Sequence, residues 1–291
     1  MHLWTPQAPQ RPRQADGYRT SAHFRWPERV PFSELGEDFI RAWGRNAEGR
    51  IEPQHVEITG QNGSGKTHAL IKFLQDRVRY RGSSSILIAT KKQDSIFDKL
   101  GWPIGDTYQH VQDNRWSMFW PQTGKQAGER EAYHEEKLWD LLTRMWHENA
   151  NTVIAVDEIG YVEELSRRLK KLIRQYWREA RSLGITFVAM KQRPVGVSRD
   201  QHSESKIKAV FPPADMADMD RFAELLGHPR DWAPVLDSLD QEAHEFVLRN
   251  NVTRHAYITW IDEPLRAIAA QATPPRPAPR ERLYGRRGGV P

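Results

Sequence analysis

Cysteine is absent from this 291-residue chain, which excludes disulfide bonds and cysteine-ligated zinc sites. The sequence also has no run of about 18 apolar residues, so we expect no membrane-spanning segment. The first 13 residues are rich in proline and glutamine and lack the apolar core of a secretion signal. These absences favour a soluble, cytoplasmic protein.

Positive charge is concentrated at the C-terminal end. The formal net charge is +5, and residues 271–291 carry five arginines against one glutamate. Such a tail can bind polyanions electrostatically or can be a solvated, disordered end, and composition does not choose between the two. Residues 1–20 have few aliphatic side chains and are predicted to be disordered. We therefore predict a folded domain over residues 21–262, followed by a short helix and a basic Pro/Arg-rich tail over residues 263–291.

From residue 55 onward, apolar runs alternate with amphipathic helical patterns. The runs are continuous, which is typical of a mostly parallel sheet with helices on both faces. The sequence therefore predicts an α/β fold with small β additions near its C-terminal end, and a helix at Phe32–Trp43 before the first strand. The predicted strands cover 55–59, 84–90, 116–120, 152–157, 185–190, 208–211, 245–248 and 257–260, and the later helices cover 66–80, 129–149, 163–183 and 216–226.

The most specific signal is the stretch GQNGSGKT at residues 60–67, which fits G-x-x-x-x-G-K-[ST] at every fixed position. It follows an apolar strand and opens a helix, as a phosphate-binding loop (P-loop) must. Its glycines let successive backbone N–H groups point at an anion, and the helix N-terminus adds its positive dipole. Lys66 would reach the β- and γ-phosphates of ATP, and the Thr67 hydroxyl would ligate Mg²⁺. The predicted ATP-binding residues are Gly60, Gln61, Asn62, Gly63, Ser64, Gly65, Lys66, Thr67 and His68.

A carboxylate pair, Asp157 and Glu158, follows the apolar run TVIAV. In a parallel α/β sheet, ligands bind beyond the carboxyl ends of the strands, which is also where the phosphate loop lies. Asp157 is therefore predicted to hold Mg²⁺, and Glu158 to orient and deprotonate the attacking water. The adjacent glutamate favours hydrolysis over transfer of phosphate to another acceptor. The alternative is an acidic pair that only stabilises a helix start.

Another buried strand ends in Lys191-Gln192-Arg193. If this strand lies beside the one that ends at Asp157, Gln192 would point at the γ-phosphate or its water and sense hydrolysis. The alternative is an ordinary polar exit from a strand. With this residue, the predicted catalytic set is Lys66, Glu158 and Gln192.

Taken together, the segments GQNGSGKT, IAVDE and KQRP resemble the FtsK–HerA superfamily of P-loop ATPases, and so does SKIKAVFPPADMADMDRFAELLG at residues 205–227. The resemblance covers about residues 50–228. It implies a RecA/FtsK-like P-loop NTPase fold and a homo-oligomeric ring, usually hexameric, that moves double-stranded DNA. Because the span before the loop is short, the chain resembles the compact packaging motors of viruses and phages. This resemblance implies a portal, capsid or membrane-vertex protein as the docking partner, and a location in the host cytoplasm or the virion.

Ring motors complete each site with an arginine from the neighbouring subunit. The candidates in this sequence are Arg193, Arg199 and Arg221, and the resemblance favours Arg221. Seven basic residues in the predicted helix 163–183 could face DNA or form a solvated, ion-paired face. Lys91 and Lys92, just after a strand, could contact phosphate or remain at the surface.

Other nucleotide-binding classes fit less well. The LSGGQ stretch of transporter ATPases and the N-K-x-D guanine motif are both absent, which favours ATP over GTP. The leading prediction is an ATP-driven translocase of double-stranded DNA. Two alternatives are a DNA-independent ATPase that acts as a nucleotide-controlled assembly switch, and a DNA-binding accessory with a vestigial ATPase.

Overall fold

The computed structural model describes residues 20–44, 52–91, 94–122, 127–193, 199–265 and 267. Residues 1–19 of the predicted N-terminal segment and residues 268–291 of the predicted tail lie outside these ranges, as does Lys92. Within the described ranges, no helix combines the length and apolar character needed to cross a membrane.

The described strands form a single ten-stranded sheet in the order β1-β10-β9-β8-β2-β7-β6-β3-β5-β4. The seven strands from β8 to β4 pair in parallel, whereas β9 pairs antiparallel with both β8 and β10. The predicted mostly parallel α/β fold is therefore confirmed. The strands are β1 (Glu28–Arg29), β2 (Val56–Thr59), β3 (Ser84–Ile88), β4 (Ile104–Gly105), β5 (Trp116–Phe119), β6 (Thr152–Val156), β7 (Ile185–Lys191), β8 (Ile207–Val210), β9 (Phe246–Asn250) and β10 (His255–Thr259).

Helices cover both faces of the sheet, as the continuous apolar strands predict. Val188 and Met190 of β7 belong to the core cluster on one face, while Phe187 and Ala189 belong to the cluster on the other. A third cluster lies beneath the last two helices. The helices are α1 (Phe32–Trp43), α2 (Lys66–Arg81), α3 (Tyr108–Asp113), α4 (Ala127–Met145), α5 (Ile159–Leu165), α6 (Arg167–Glu179), α7 (Arg199–Glu204), α8 (Met219–Leu226) and α9 (Pro229–Asp237).

The prediction of one long helix over 163–183 is wrong, because the helix is interrupted at Ser166. This residue is extended, with φ −164°, and its hydroxyl accepts a hydrogen bond from the Leu169 N–H at 3.2 Å. A serine in this position caps a new helix, so α5 ends and α6 begins there. The last four residues, Ala180–Leu183, form a 3₁₀ turn that ends at Gly184 in the left-handed region.

Candidate active site

The phosphate loop connects β2 to α2 and depends on glycine at three positions. Gly63 and Gly65 have φ of +77° and +98°, a region that favours glycine. A Cβ at Gly60 would lie 2.5 Å from the Cβ of Phe211, so the loop packs directly against the residue after β8. The chain therefore turns sharply and brings Lys66 to the start of α2.

Lys66 is only 7% exposed, and its ammonium donates a hydrogen bond to the backbone carbonyl of Gln61 in the same loop. Burial lowers the pKa of Lys66 to about 8, with Glu158 opposing and Lys91 reinforcing this shift. The lysine is thus a poorly solvated cation at pH 7. A phosphate anion in the loop would compensate for the solvation that burial removes.

Asp157 follows β6 directly and is 2% exposed. Its Oδ1 accepts hydrogen bonds from the backbone N–H of Thr90 at 3.0 Å and from the Thr90 hydroxyl at 2.7 Å. Its Oδ2 is buried and has no hydrogen-bond partner among the described residues. Burial raises the pKa of Asp157 to about 6, although Thr90 and Lys91 oppose the shift.

This arrangement fits a hard divalent cation. Mg²⁺ is held in nucleotide sites by one or two protein oxygens together with phosphate oxygens. Asp157, whose Oδ2 has no partner among the described residues, lines the same cavity as Thr67. Magnesium is thus compatible with the residues present.

Glu158 and Gln192 lie side by side. Strand β7 pairs with β6 in parallel, with Val156 opposite Ala189, so the two strands are neighbours, which is the condition on which the predicted role of Gln192 depends. Gln192 Nε2 donates a hydrogen bond to Glu158 Oε2 at 3.3 Å. Burial raises the pKa of Glu158, while Gln192, Lys66 and Lys91 oppose the shift. A carboxylate with a raised pKa is better suited to accept a proton than a fully solvated one.

A cavity of about 360 Å³ brings most of the predicted site residues together. The predicted residues that line it are Asn62, Gly63, Gly65, Lys66, Thr67, His68, Asp157, Glu158 and Gln192, with Lys91 beside them. The other three loop residues serve the loop itself: Gly60 contacts Phe211, Ser64 is buried, and Gln61 lies 3.5 Å from Gln241. Sequence reasoning missed five lining residues, which are Asp94, Ile96, Met190, His244 and Leu265.

The candidate arginines do not line this cavity. Arg221 is exposed on α8, and Arg193 is 73% exposed with its Nε 3.8 Å from Asp218. Arg199 begins α7, and its side chain is not described. An arginine that acts on a neighbouring subunit would lie outside its own cavity, so the choice among the three stays a prediction.

Ion pairs occupy much of the basic surface between residues 163 and 183. Arg174 and Arg178 both contact Asp200 of α7, at 3.1 Å and 2.9 Å. Arg168 contacts Glu135 at 2.7 Å, and Arg181 contacts Glu204 at 3.2 Å. These contacts favour the interpretation that this surface is a solvated, ion-paired face over the interpretation that it binds DNA directly.

A buried ionic cluster beside the site was not predicted. Glu57 of β2 is fully buried, contacts the Lys191 ammonium, and lies 3.0 Å from the Lys208 ammonium of β8. Burial alone would raise the pKa of Glu57, but the two lysines lower it to about 2. The cluster ties β2, which precedes the phosphate loop, to the strand that precedes Gln192. The only sign of this cluster in the sequence is one charged residue in each of the apolar strands β2, β7 and β8.

Fold and site together define a P-loop ATPase, because a glycine loop, a buried carboxylate and a neighbouring glutamate meet at the carboxyl edge of a parallel sheet. The family model described as "ATPase: KaiC" matches residues 39–210. The chain belongs to this family of P-loop ATPases.

The solved structures that share the fold include those of three ATPases or NTPases. The genome packaging NTPase B204 from Sulfolobus turreted icosahedral virus 2, in complex with sulfate, is 15% identical with a TM-score of 0.55, over 72% of this chain and 97% of that one. VirB4 of Thermoanaerobacter pseudethanolicus is 11% identical, with a TM-score of 0.54. The match covers 76% of this chain and 96% of VirB4. EssC (ATPases 2 and 3) from Geobacillus thermodenitrificans is 16% identical, with a TM-score of 0.50. The match covers 75% of this chain and 43% of the EssC chain. The resemblance to compact genome-packaging ATPases is thus confirmed for the fold. A comparison with curated protein sequences found no match.

Proposed function

We propose that the protein is an ATP-driven translocase of double-stranded DNA that packages or transfers a genome. The observation that carries the ATPase part of the proposal is the meeting of Lys66, Asp157, Glu158 and Gln192 in one cavity. A site that only binds nucleotide has no need for a glutamate beside the magnesium-binding carboxylate. In P-loop ATPases such side chains hold the phosphates and Mg²⁺ and position the attacking water, and an arginine from a neighbouring subunit completes the site.

In the proposed site, backbone N–H groups of residues 60–68 and the Lys66 ammonium bind the phosphates of ATP. Thr67 and Asp157 would hold Mg²⁺, which supplies positive charge that neutralises the phosphate oxygens. Glu158 accepts a proton from the attacking water, and Gln192 keeps its carboxylate in place through their hydrogen bond. Arg221 of a neighbouring subunit is the proposed arginine finger.

The DNA part of the proposal rests on the FtsK–HerA motifs and on the shared fold. One of the proteins with this fold is named a genome packaging NTPase. We propose a homo-oligomeric ring, most simply a hexamer, whose motor domain is residues 21–262 and whose basic tail follows. It would work in the cytoplasm or on the virion, where ATP and DNA meet, and would dock on a portal, capsid or vertex protein.

The test is steady-state ATP hydrolysis with and without linear double-stranded DNA, at low and moderate salt. We expect DNA to stimulate turnover several-fold and the stimulation to weaken with salt, because DNA affinity falls steeply as counterions compete. Lys66→Ala should abolish turnover and Glu158→Gln should reduce it at least about 100-fold, whereas Arg144→Ala, on an exposed ion pair of α4, should leave it unchanged. Hydrolysis at a rate that DNA does not change would favour the assembly switch.

A further inference from the structure

The nucleotide cavity extends past the phosphate loop on the side away from the catalytic carboxylates. Strand β2, which leads into the loop, has β7 and β6 on one side and β8 and β9 on the other. Asp157 and Glu158 follow β6, so the γ-phosphate lies on that side of the loop. The rest of the nucleotide must then point toward β8 and β9.

Three residues line the cavity at this end: His68, which directly follows the phosphate-loop motif, and His244 and Leu265, which belong to no nucleotide-binding motif. His244 precedes β9, and its Cβ lies 3.0 Å from the position of a Cβ on Gly65, so the imidazole is in direct contact with the loop. His68 follows Thr67 on α2, and Leu265 follows β10. Two aromatic rings and one aliphatic side chain therefore surround the space beyond the loop.

His68 offers an unused polar atom. Its Nε2 is buried and has no hydrogen-bond partner among the residues that the structure describes. A buried ring nitrogen without a partner is costly, and a ligand that forms a hydrogen bond with it would recover that cost.

The segment that carries Leu265 is fixed to the helices beside the loop. Glu263 Oε1 lies 2.7 Å from the Lys72 ammonium of α2. One residue earlier, Asp262 accepts hydrogen bonds from the backbone N–H and the hydroxyl of Ser33 in α1. Leu265 packs against the core cluster beneath these helices. The contacts hold a segment about 200 residues away in sequence against the phosphate loop.

We propose that His68, His244 and Leu265 form the subsite for the purine nucleoside of ATP, and that the Glu263–Lys72 ion pair positions Leu265. The base stacks between imidazole and leucine, and His68 Nε2 forms a hydrogen bond with the nucleoside. The inference rests on the proposed ATP binding and adds the side chains that distinguish a nucleotide from a bare polyphosphate.

The test is isothermal titration calorimetry on the full chain, with Mg²⁺–ATPγS and Mg²⁺–tripolyphosphate titrated in parallel. His244→Ala should weaken ATPγS binding about ten-fold, in line with a lost aromatic–base stack, and should leave tripolyphosphate binding within two-fold. His68→Leu should do the same, and His68→Gln should retain most of the affinity because its amide still forms hydrogen bonds. Glu263→Gln should weaken ATPγS alone.

Two controls separate this inference from the proposed function. His255→Ala, on the exposed part of β10, should change neither affinity, while Lys66→Ala should weaken both ligands. Equal weakening of both ligands by His244→Ala and His68→Leu, or no weakening by either, would overturn the subsite while leaving ATP binding intact. Failure of the unchanged protein to bind either ligand would overturn both proposals.

Discussion

Replacing Asp157 by asparagine should make the ligand-free protein more stable while removing its activity. Asparagine keeps the oxygen that accepts both Thr90 hydrogen bonds, and its amide replaces the unpartnered Oδ2. Burial raises the pKa of Asp157 to about 6 from an ordinary value of 3.8, and this difference gives the cost of the buried charge. At about 1.4 kcal/mol per pKa unit, ionised Asp157 costs the fold up to about 3 kcal/mol.

The sign of this effect fixes its pH dependence. Below about pH 4 the carboxyl is protonated in both folded and unfolded chains, so Asp157 and asparagine should be nearly equivalent. Between pH 4 and pH 6 only the unfolded chain ionises, and the wild-type protein loses stability as the pH rises. Above pH 6 the full penalty applies, and Asp157→Asn should be more stable by up to about 3 kcal/mol.

Urea unfolding and thermal melts at pH 4.5, 5.5 and 7 would measure this difference. For a domain of this size, about 3 kcal/mol corresponds to a rise in Tm of roughly 6–12 °C. Magnesium-dependent hydrolysis should be lost in the same variant. Thr143→Ser, on the exposed face of α4, is the neutral control. An asparagine variant that is less stable at pH 7, or whose gain is the same at every pH, would refute the reasoning.

Three further predictions test the surroundings of the site. Glu57→Gln should cost about 3–5 kcal/mol of unfolding free energy in urea titrations, because it leaves two lysine ammonium groups buried without a carboxylate; a loss below 1 kcal/mol would contradict the cluster's role. Gly65→Ala should lower ATPγS affinity more than Gly63→Ala, since only its new methyl group meets His244, and equal losses in calorimetry would show that this contact is irrelevant. Glu158→Gln should reduce kcat by about 10²–10⁴-fold and preserve ATPγS binding, whereas parallel losses of both would indicate a structural role.

Much of the fold could be predicted because local patterns determine it. The continuous apolar runs of β6 and β7 indicate buried parallel strands. The loop between β2 and α2 has a recognisable motif, and the backbone angles of the loop require the glycines of that motif. The break between α5 and α6 was missed because apolar residues keep a helical spacing across Ser166 and no proline or glycine marks it. Helix α9 was missed because Pro229 and Pro234 suggest a loop, although proline in the first turn suits a helix.

The parts of the site that could not be predicted depend on contacts between distant segments. Thr90 follows β3 and reaches Asp157 only because β3 pairs with β6. His244 and Leu265 reach the phosphate loop through the antiparallel strands at the sheet's far side, which no motif indicates. Glu57 looks like an interruption of an apolar strand until β7 and β8 bring its lysine partners beside it.

The most direct test of the central claim is movement along DNA. A third strand bound to a linear duplex by triplex formation is displaced when a translocase passes, and fluorescence reports its release. With ATP we predict release after a delay that lengthens with the distance from the duplex end, and none with ATPγS or with Glu158→Gln. Steady hydrolysis of ATP on the same duplex with no release of the third strand would contradict the claim that the protein is a DNA-translocating motor.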